Sequence, residues 1–349
     1  MRTVLVTLLG MGAAVGIPVG AEAQEGPAPL FASHEILDLT LTADFAALRG
    51  DRRASPDRAA LITAPDAGGG TIDVGAELRT RGEFRLDPAN CSFPPLRIDV
   101  DASTAKGTVF EGQDKLKLVS SCRPGRDSYE DLVLTEYLAY RTYQLLSSQS
   151  FHARLLRLTF VDTGRENAPE TRIGFLIEED NALAARLGAT IFDLEEGKNL
   201  LPAAFDPTSL MMVGIFQYMI GNTDWSDVAG HNFEIVDRGG AALVVPYDFD
   251  IAGIVDAPYA TPDPVYGLAS VRDRLYRGWC GNSFNTHLVL ERFREASTEI
   301  TKLWTDVPGL TEATRRRTVS YLADFFESIE TDERADRRFL RDCRIRPTG

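Results

Sequence analysis

Between Thr71 and Ser120 the chain alternates apolar and polar residues in short runs: TIDVGAELRTRGEFRL, PPLRIDVD and DKLKLVS. A period of two puts one kind of side chain on each face, so three strands of an antiparallel sheet are expected there. The period then changes. From Asp127, with Glu130 three residues on as a capping box, YEDLVLTEYLAYRTYQLLS carries Leu134, Tyr137, Leu138, Leu145 and Leu146 at helical spacing. FHARLLRLTFVDT and TRIGFLIEED return to strand patterning. Residues 181–200 read as an amphipathic helix and loop. Asp206 and Pro207 then form an N-cap and first-turn pair for a helix to about Ile220, and SLMMVGIFQYMI is apolar nearly all round, as a buried helix must be.

GNTDWSDVAGHNFEIVDRGGAALVVPYDFD follows, from Gly221 to Asp250. FEIVD and ALVVPYDFD flank Arg238, Gly239 and Gly240, which predicts a hairpin whose open end brings Asn232 near Asp248 and Asp250. After a loop-rich stretch over 251–283, helical text resumes in HLVLERFREASTEITKLW, TEATRRRTVSYLADFFESIE and DERADRRFLRDC. The elements thus divide into a sheet-rich part over 71–180 and a helix-rich part over 181–349. The class is α+β, with the polar loop and hairpin end in the cleft between the parts, where ligand sites tend to lie.

Residues 1–23 have a basic residue, an apolar run and Ala21-Glu22-Ala23, the pattern of a cleaved secretory signal. Residues 24–70 are rich in Ala, Pro, Gly and Asp and read as a linker-like extension with room for a strand and a short helix in FASHEILDLTLTADFAALR. The expectation is an exported protein, periplasmic or extracellular, with no membrane span left after cleavage. A formal net charge of −14 argues against nucleic acid as a partner. In an oxidising compartment the four cysteines favour disulfides. Cys91 precedes PPLRIDV and Cys122 follows KLKLV; if those strands pair about Lys106 and Gly107, the two cysteines face each other, which leaves Cys280 with Cys343.

Asp224, Asp227, Asn232, Asp248 and Asp250 around one hairpin make a costly cluster unless a positive charge sits in it. Oxygen-only donors suit magnesium, held by one or two carboxylates, waters and a substrate phosphate. The scattered histidines, His34, His152, His231 and His287, and the lack of a Cys pair at ligand spacing argue against zinc. His231 reads as a hydrogen-bonded structural histidine.

In RTRGEFR, LKLV, the helix with TEYLAYR, GFLIEED, GNTDWS with HN, and VPYDFD, the chain resembles the secreted, atypical kinase-like proteins of the CotH family and, more distantly, HipA-type kinases. The resemblance covers about 74–259. It implies a two-lobed protein-kinase-like fold with an antiparallel-sheet N-lobe, and phosphoryl transfer from ATP with magnesium to a protein or small-molecule hydroxyl. It would make Asp224 or Asp227 the base: Asp224 lies eight residues before Asn232 and Asp227 five. Asn232, Asp248 and Asp250 would be metal ligands. Lys117, in competition with Lys115 on the same strand face, would contact nucleotide phosphates with Glu136 as its helix partner. A catalytically silent kinase-like binding or envelope module is the alternative. A metal-dependent glycosyltransferase is a third reading, since Asp248-Phe249-Asp250 is a D-x-D, but no doubly wound βαβ pattern accompanies it.

Overall fold

Residues 37–65, read as linker-like, enter the sheet and close it. The computed structural model describes residues 28–66, 68–194, 202–280, 285–341 and 343–345. In chain order they form β1 (Leu37–Ala43), α1 (Phe45–Gly50), β2 (Arg58–Pro65), β3 (Thr71–Thr80), β4 (Leu96–Val100), α2 (Ala102–Ala105), β5 (Lys115–Ser120), α3 (Asp127–Leu146), β6 (Ala153–Asp162) and β7 (Glu170–Ile177). Then come α4 (Asp180–Arg186), β8 (Thr190–Ile191), α5 (Pro207–Ile220), β9 (Phe233–Asp237), β10 (Leu243–Pro246), β11 (Trp279–Cys280), α6 (Thr286–Asp306), α7 (Glu312–Ser328), α8 (Asp332–Phe339) and β12 (Arg344–Ile345).

Seven strands make a closed barrel in the order β1-β2-β3-β4-β5-β7-β6. Six of its pairings are antiparallel; the seventh, β1 on β6, is parallel from Leu37↔Leu156 to Ala43↔Asp162. The expected two-lobed kinase-like fold with an open antiparallel N-lobe sheet is therefore corrected to a closed, mixed barrel with helices packed against it. The physical reason is the edge: β1 and β2 complete the pairing of strands that would otherwise expose unpaired amides and carbonyls. Leu39, Leu41, Ile62, Val74, Leu78, Ile98, Leu116, Leu118, Leu156 and Leu158 fill the interior.

A second core gathers around α5, whose side chains from Ser209 to Ile220 are all buried. The Asp206 carboxylate accepts from the Ser209 amide at 2.8 Å, so the expected N-cap is in place. Gly221 ends the helix at φ 67°, and a Cβ there would run into the Tyr321 hydroxyl. The capping box at α3 does not form. Arg126 is the N-cap, and the Glu130 carboxylate instead accepts from the Ile173 amide of β7 at 2.6 Å, fastening helix to barrel. On α3, Asp131 takes hydrogen bonds from Thr311 and Thr314 of the α7 start, so the helix is tied on both sides.

Cys91 is bonded to Cys122, with Cα atoms 4.8 Å apart, and Cys280 to Cys343, 5.8 Å apart. The first closes the open end of the antiparallel β4–β5 pair, as the strand reading expected. No helix among the described residues is long and apolar enough to cross a membrane. The signal-like segment over 1–23, and the part of the predicted 181–200 helix and loop beyond 194, lie outside the described residues.

Candidate functional site

β9 and β10 pair as predicted, from Phe233↔Pro246 to Val236↔Leu243. At the open end the Tyr247 amide donates to the Asn232 carbonyl at 3.1 Å. Asn232 and Asp248 both hold φ at 58°, the left-handed region that non-glycine residues enter at a cost. Each is fixed by a neighbour. Asn232 Nδ2 donates to the Asp224 carbonyl at 2.6 Å and to its carboxylate at 3.0 Å, and the Asp248 amide donates to the Tyr140 hydroxyl at 2.9 Å.

Arg85, the last residue of RTRGEFR, supplies the positive charge. Its guanidinium lies 3.9 Å from Glu136, 3.4 Å from Asp248 and 3.5 Å from Asp250, and the Tyr259 hydroxyl donates to Asp250 at 3.1 Å. Burial opposes the charge on Arg85, but Asp250, Glu136 and Asp248 more than offset that and hold it protonated. Burial pushes the carboxyls of Glu136 and Asp250 above the ordinary range; Arg85 pulls them back only in part, and the other carboxylates push them up further.

The structure thus brings Asp248, Asp250 and Glu136 together on Arg85, and joins Asp224 to Asn232 beside them. His231 Nε2 lies 3.1 Å from Asp224 Oδ1, which agrees with a hydrogen-bonded structural role. Two expected placements differ. Glu136 pairs with Arg85, not with Lys117: Lys117 ion-pairs with Asp180 and lies 5.1 Å from the ring centres of both Phe151 and Tyr247. The reason is the alternation along β5. Leu116 and Leu118 turn into the barrel, which sends Lys117 out toward α4 and Tyr247, while Glu136 on α3 meets Arg85. Lys115, its neighbour on the same strand face, pairs with Asp114 at 3.8 Å.

Asp227 stands apart from the cluster. It is 1 % exposed, forms a two-point ion pair with Arg344 at 3.0 and 3.1 Å, and accepts from the Trp279 indole. A carboxylate committed in this way is closed to a substrate hydroxyl, whereas the Asp224 side chain is 42 % exposed. Arg85, Tyr259 and Asp180 were not singled out in the sequence. For Arg85 the signal is within reach, because RTRGEFR is one of the segments that carry the resemblance.

Among the described residues no three His, Cys, Asp or Glu converge closely enough to hold a metal unaided. Magnesium does not require such a cage, since it keeps waters and takes phosphate oxygens beside one or two carboxylates. Arg85 and Tyr259 engage Oδ1 of Asp248 and Oδ2 of Asp250. Among the described residues the second oxygen of each carboxylate has no hydrogen-bond or ion-pair partner.

Glu234 on β9 belongs to the Lys117 neighbourhood. Burial, then Asp180, pushes its carboxyl up to about 7, with Lys117 opposing. A raised carboxyl binds its proton more tightly in the folded state than in the unfolded one. Stability is therefore lost as pH rises from the unfolded carboxyl range, about 4.5, to about 7. Glu234→Gln should abolish that loss, raising stability at pH 8 by about 1 kcal/mol after allowance for solvent screening, with little effect at acid pH. Thermal melts of both proteins across that range check it; parallel pH profiles would refute it.

No protein-family model matches the chain, and no curated protein matches it either.

Proposed function

We propose that this is an exported phosphotransferase of the CotH-like kind. It takes a nucleoside triphosphate with magnesium at the open end of the β9–β10 hairpin and transfers phosphate to a protein or small-molecule hydroxyl. One observation carries the reading: two non-glycine residues, Asn232 and Asp248, are held in the left-handed region where Asp224, Asp248 and Asp250 gather. Strain of this kind persists where surrounding contacts enforce it, and it concentrates at functional sites. The reading does not depend on a two-lobed kinase fold, because chemistry belongs to sites rather than to folds.

Phosphoryl transfer is mostly positioning and charge neutralisation. In this reading Asp224, hydrogen-bonded to Asn232 and His231, would orient an acceptor hydroxyl and take its proton. Asp248, Asp250 and Asn232 would hold the ion, which when bound neutralises phosphate charge. Arg85 keeps Glu136, Asp248 and Asp250 gathered by supplying their counter-charge. For Lys117 to reach a phosphate it must exchange Asp180 for it. The two disulfides agree with export into an oxidising compartment.

A catalytically silent binding module is the second reading, favoured by Arg85 itself, since its guanidinium supplies part of the charge that a metal would bring. Thermal-shift titration with ATP and magnesium separates the two. Wild type should gain about 2.7 kcal/mol at a hundredfold excess over the dissociation constant, only with magnesium present, and Asp248→Ala should not. A folded wild type that shows no shift would sink the nucleotide reading and leave the silent module.

A further inference from the structure

Away from the hairpin, where α3 ends and β6 begins, lies a cavity of about 300 Å³. His34, Arg141, Gln144, Ser150, His152 and Arg186 contribute its polar lining, and among the described residues no carboxylate lines it. Arg186 is already neutralised, by Glu178 at 2.8 and 2.9 Å. Arg141 is not. It is 7 % exposed and makes no ion pair among the described residues; its only hydrogen bond runs from Nη1 to the Tyr137 hydroxyl at a long 3.4 Å, and its Nε is buried without a partner. His152 Nδ1, on the same cavity, is likewise buried and unpartnered.

Arg141 also lines a neighbouring, mainly apolar cavity whose rim carries Glu35, Glu299 and Asp306, but none of these pairs with it. Arg154, nearby, has its guanidinium tied to the carbonyls of Leu30 and Ser33 rather than to an acid. Burial, then Arg141 and Arg154, lowers the His34 imidazole to about 4, as a pocket carrying excess positive charge should.

An arginine buried without a carboxylate is expensive, and a bound anion relieves that cost. The guanidinium fork matches two oxygens of a phosphate or carboxylate. Proteins of this size have room for a second ligand site, and this volume is at the small end of the range for one. We propose that this cavity binds the oxyanion group, phosphate or carboxylate, of a small solute, held by Arg141 with His152 and Gln144 at its sides. The site is independent of the hairpin cluster and of the phosphotransfer reading.

The test uses the full-length chain, with inorganic phosphate, acetate and sodium chloride compared at matched ionic strength by thermal shift and calorimetry. Saturable stabilisation by phosphate or acetate beyond that of chloride is expected. A response to phosphate alone assigns a phosphorylated solute; a response to acetate alone assigns a carboxylic acid. Arg141→Met should bind at least tenfold more weakly, while melting no lower than wild type in anion-free buffer because the orphaned charge is gone. If that variant does not fold, Ser148→Glu, at an exposed position on the same cavity, adds a negative charge to its lining and should likewise weaken the response. Asp248→Ala should keep it. Absence of any effect beyond chloride, an undiminished response in the folded cavity variant, or loss of the response in Asp248→Ala would each overturn the proposal.

Discussion

Arg85→Met is expected to destabilise the protein by about 3–5 kcal/mol at neutral pH, the usual cost of removing one partner from a buried charge cluster. The guanidinium faces Glu136, Asp248 and Asp250 at once, and its side chain is only 12 % exposed. Methionine keeps much of the length and apolar stem but leaves three carboxylates to repel one another. Their carboxyls, already raised at Glu136 and Asp250 by burial, rise further in the variant. Folded protein then binds more protons than unfolded protein over a wider range, so the variant's deficit should grow as pH increases and shrink toward acid.

Urea unfolding of wild type and Arg85→Met at pH 5 and pH 8 measures this. Adding Glu136→Gln should restore part of the loss, because the two positions interact directly and their effects should not add. Equal stability of wild type and Arg85→Met at pH 8 would show that the cluster is not held by Arg85 and would remove the main support for its role at the site.

The second large effect belongs to Asp227→Ala, with a loss of about 3 kcal/mol, at the lower end of the range for a buried pair because Arg344 is partly exposed and can be rehydrated. Asp227 joins the loop after α5 to Trp279 and to Arg344, the residue after Cys343 of the second disulfide. Its removal leaves the Trp279 indole unpartnered and frees the β11–β12 pair, which holds the chain's end against β11. Asp224→Ala, at a half-exposed position, should cost only about 1 kcal/mol, the scale of one hydrogen bond, because Asn232 keeps its bond to the residue 224 carbonyl. Denaturant melts of the two variants side by side separate a structural aspartate from one available for chemistry. Comparable losses would put Asp224 in the framework as well and take away the proposed base.

Local patterns in the chain determined a good deal of this protein. Asp206-Pro207 before an apolar run and Gly221 after it specify α5, because capping and left-handed exit involve residues only a few positions apart. The Gly239-Gly240 turn sets the β9–β10 hairpin, and with it the meeting of Asn232 and Asp248, by the same short-range logic. Cys91 and Cys122 were paired correctly because each flanks a strand with a readable period of two.

Tertiary structure alone decided the rest. The barrel closes through β1 and β6, whose partners Leu37 and Leu156 are far apart in sequence, and parallel pairing at that range leaves no turn signature between them. Glu130 satisfied the capping-box spacing yet bonded Ile173, because a distant strand amide was a better placed donor than its own helix end. Lys117 and Glu136 are residues of the expected types, but the alternation of β5 and the approach of Arg85, 163 residues from Asp248, gave them different partners. Charge says that a residue needs a counter-charge; only the packing of remote segments decides which one it meets.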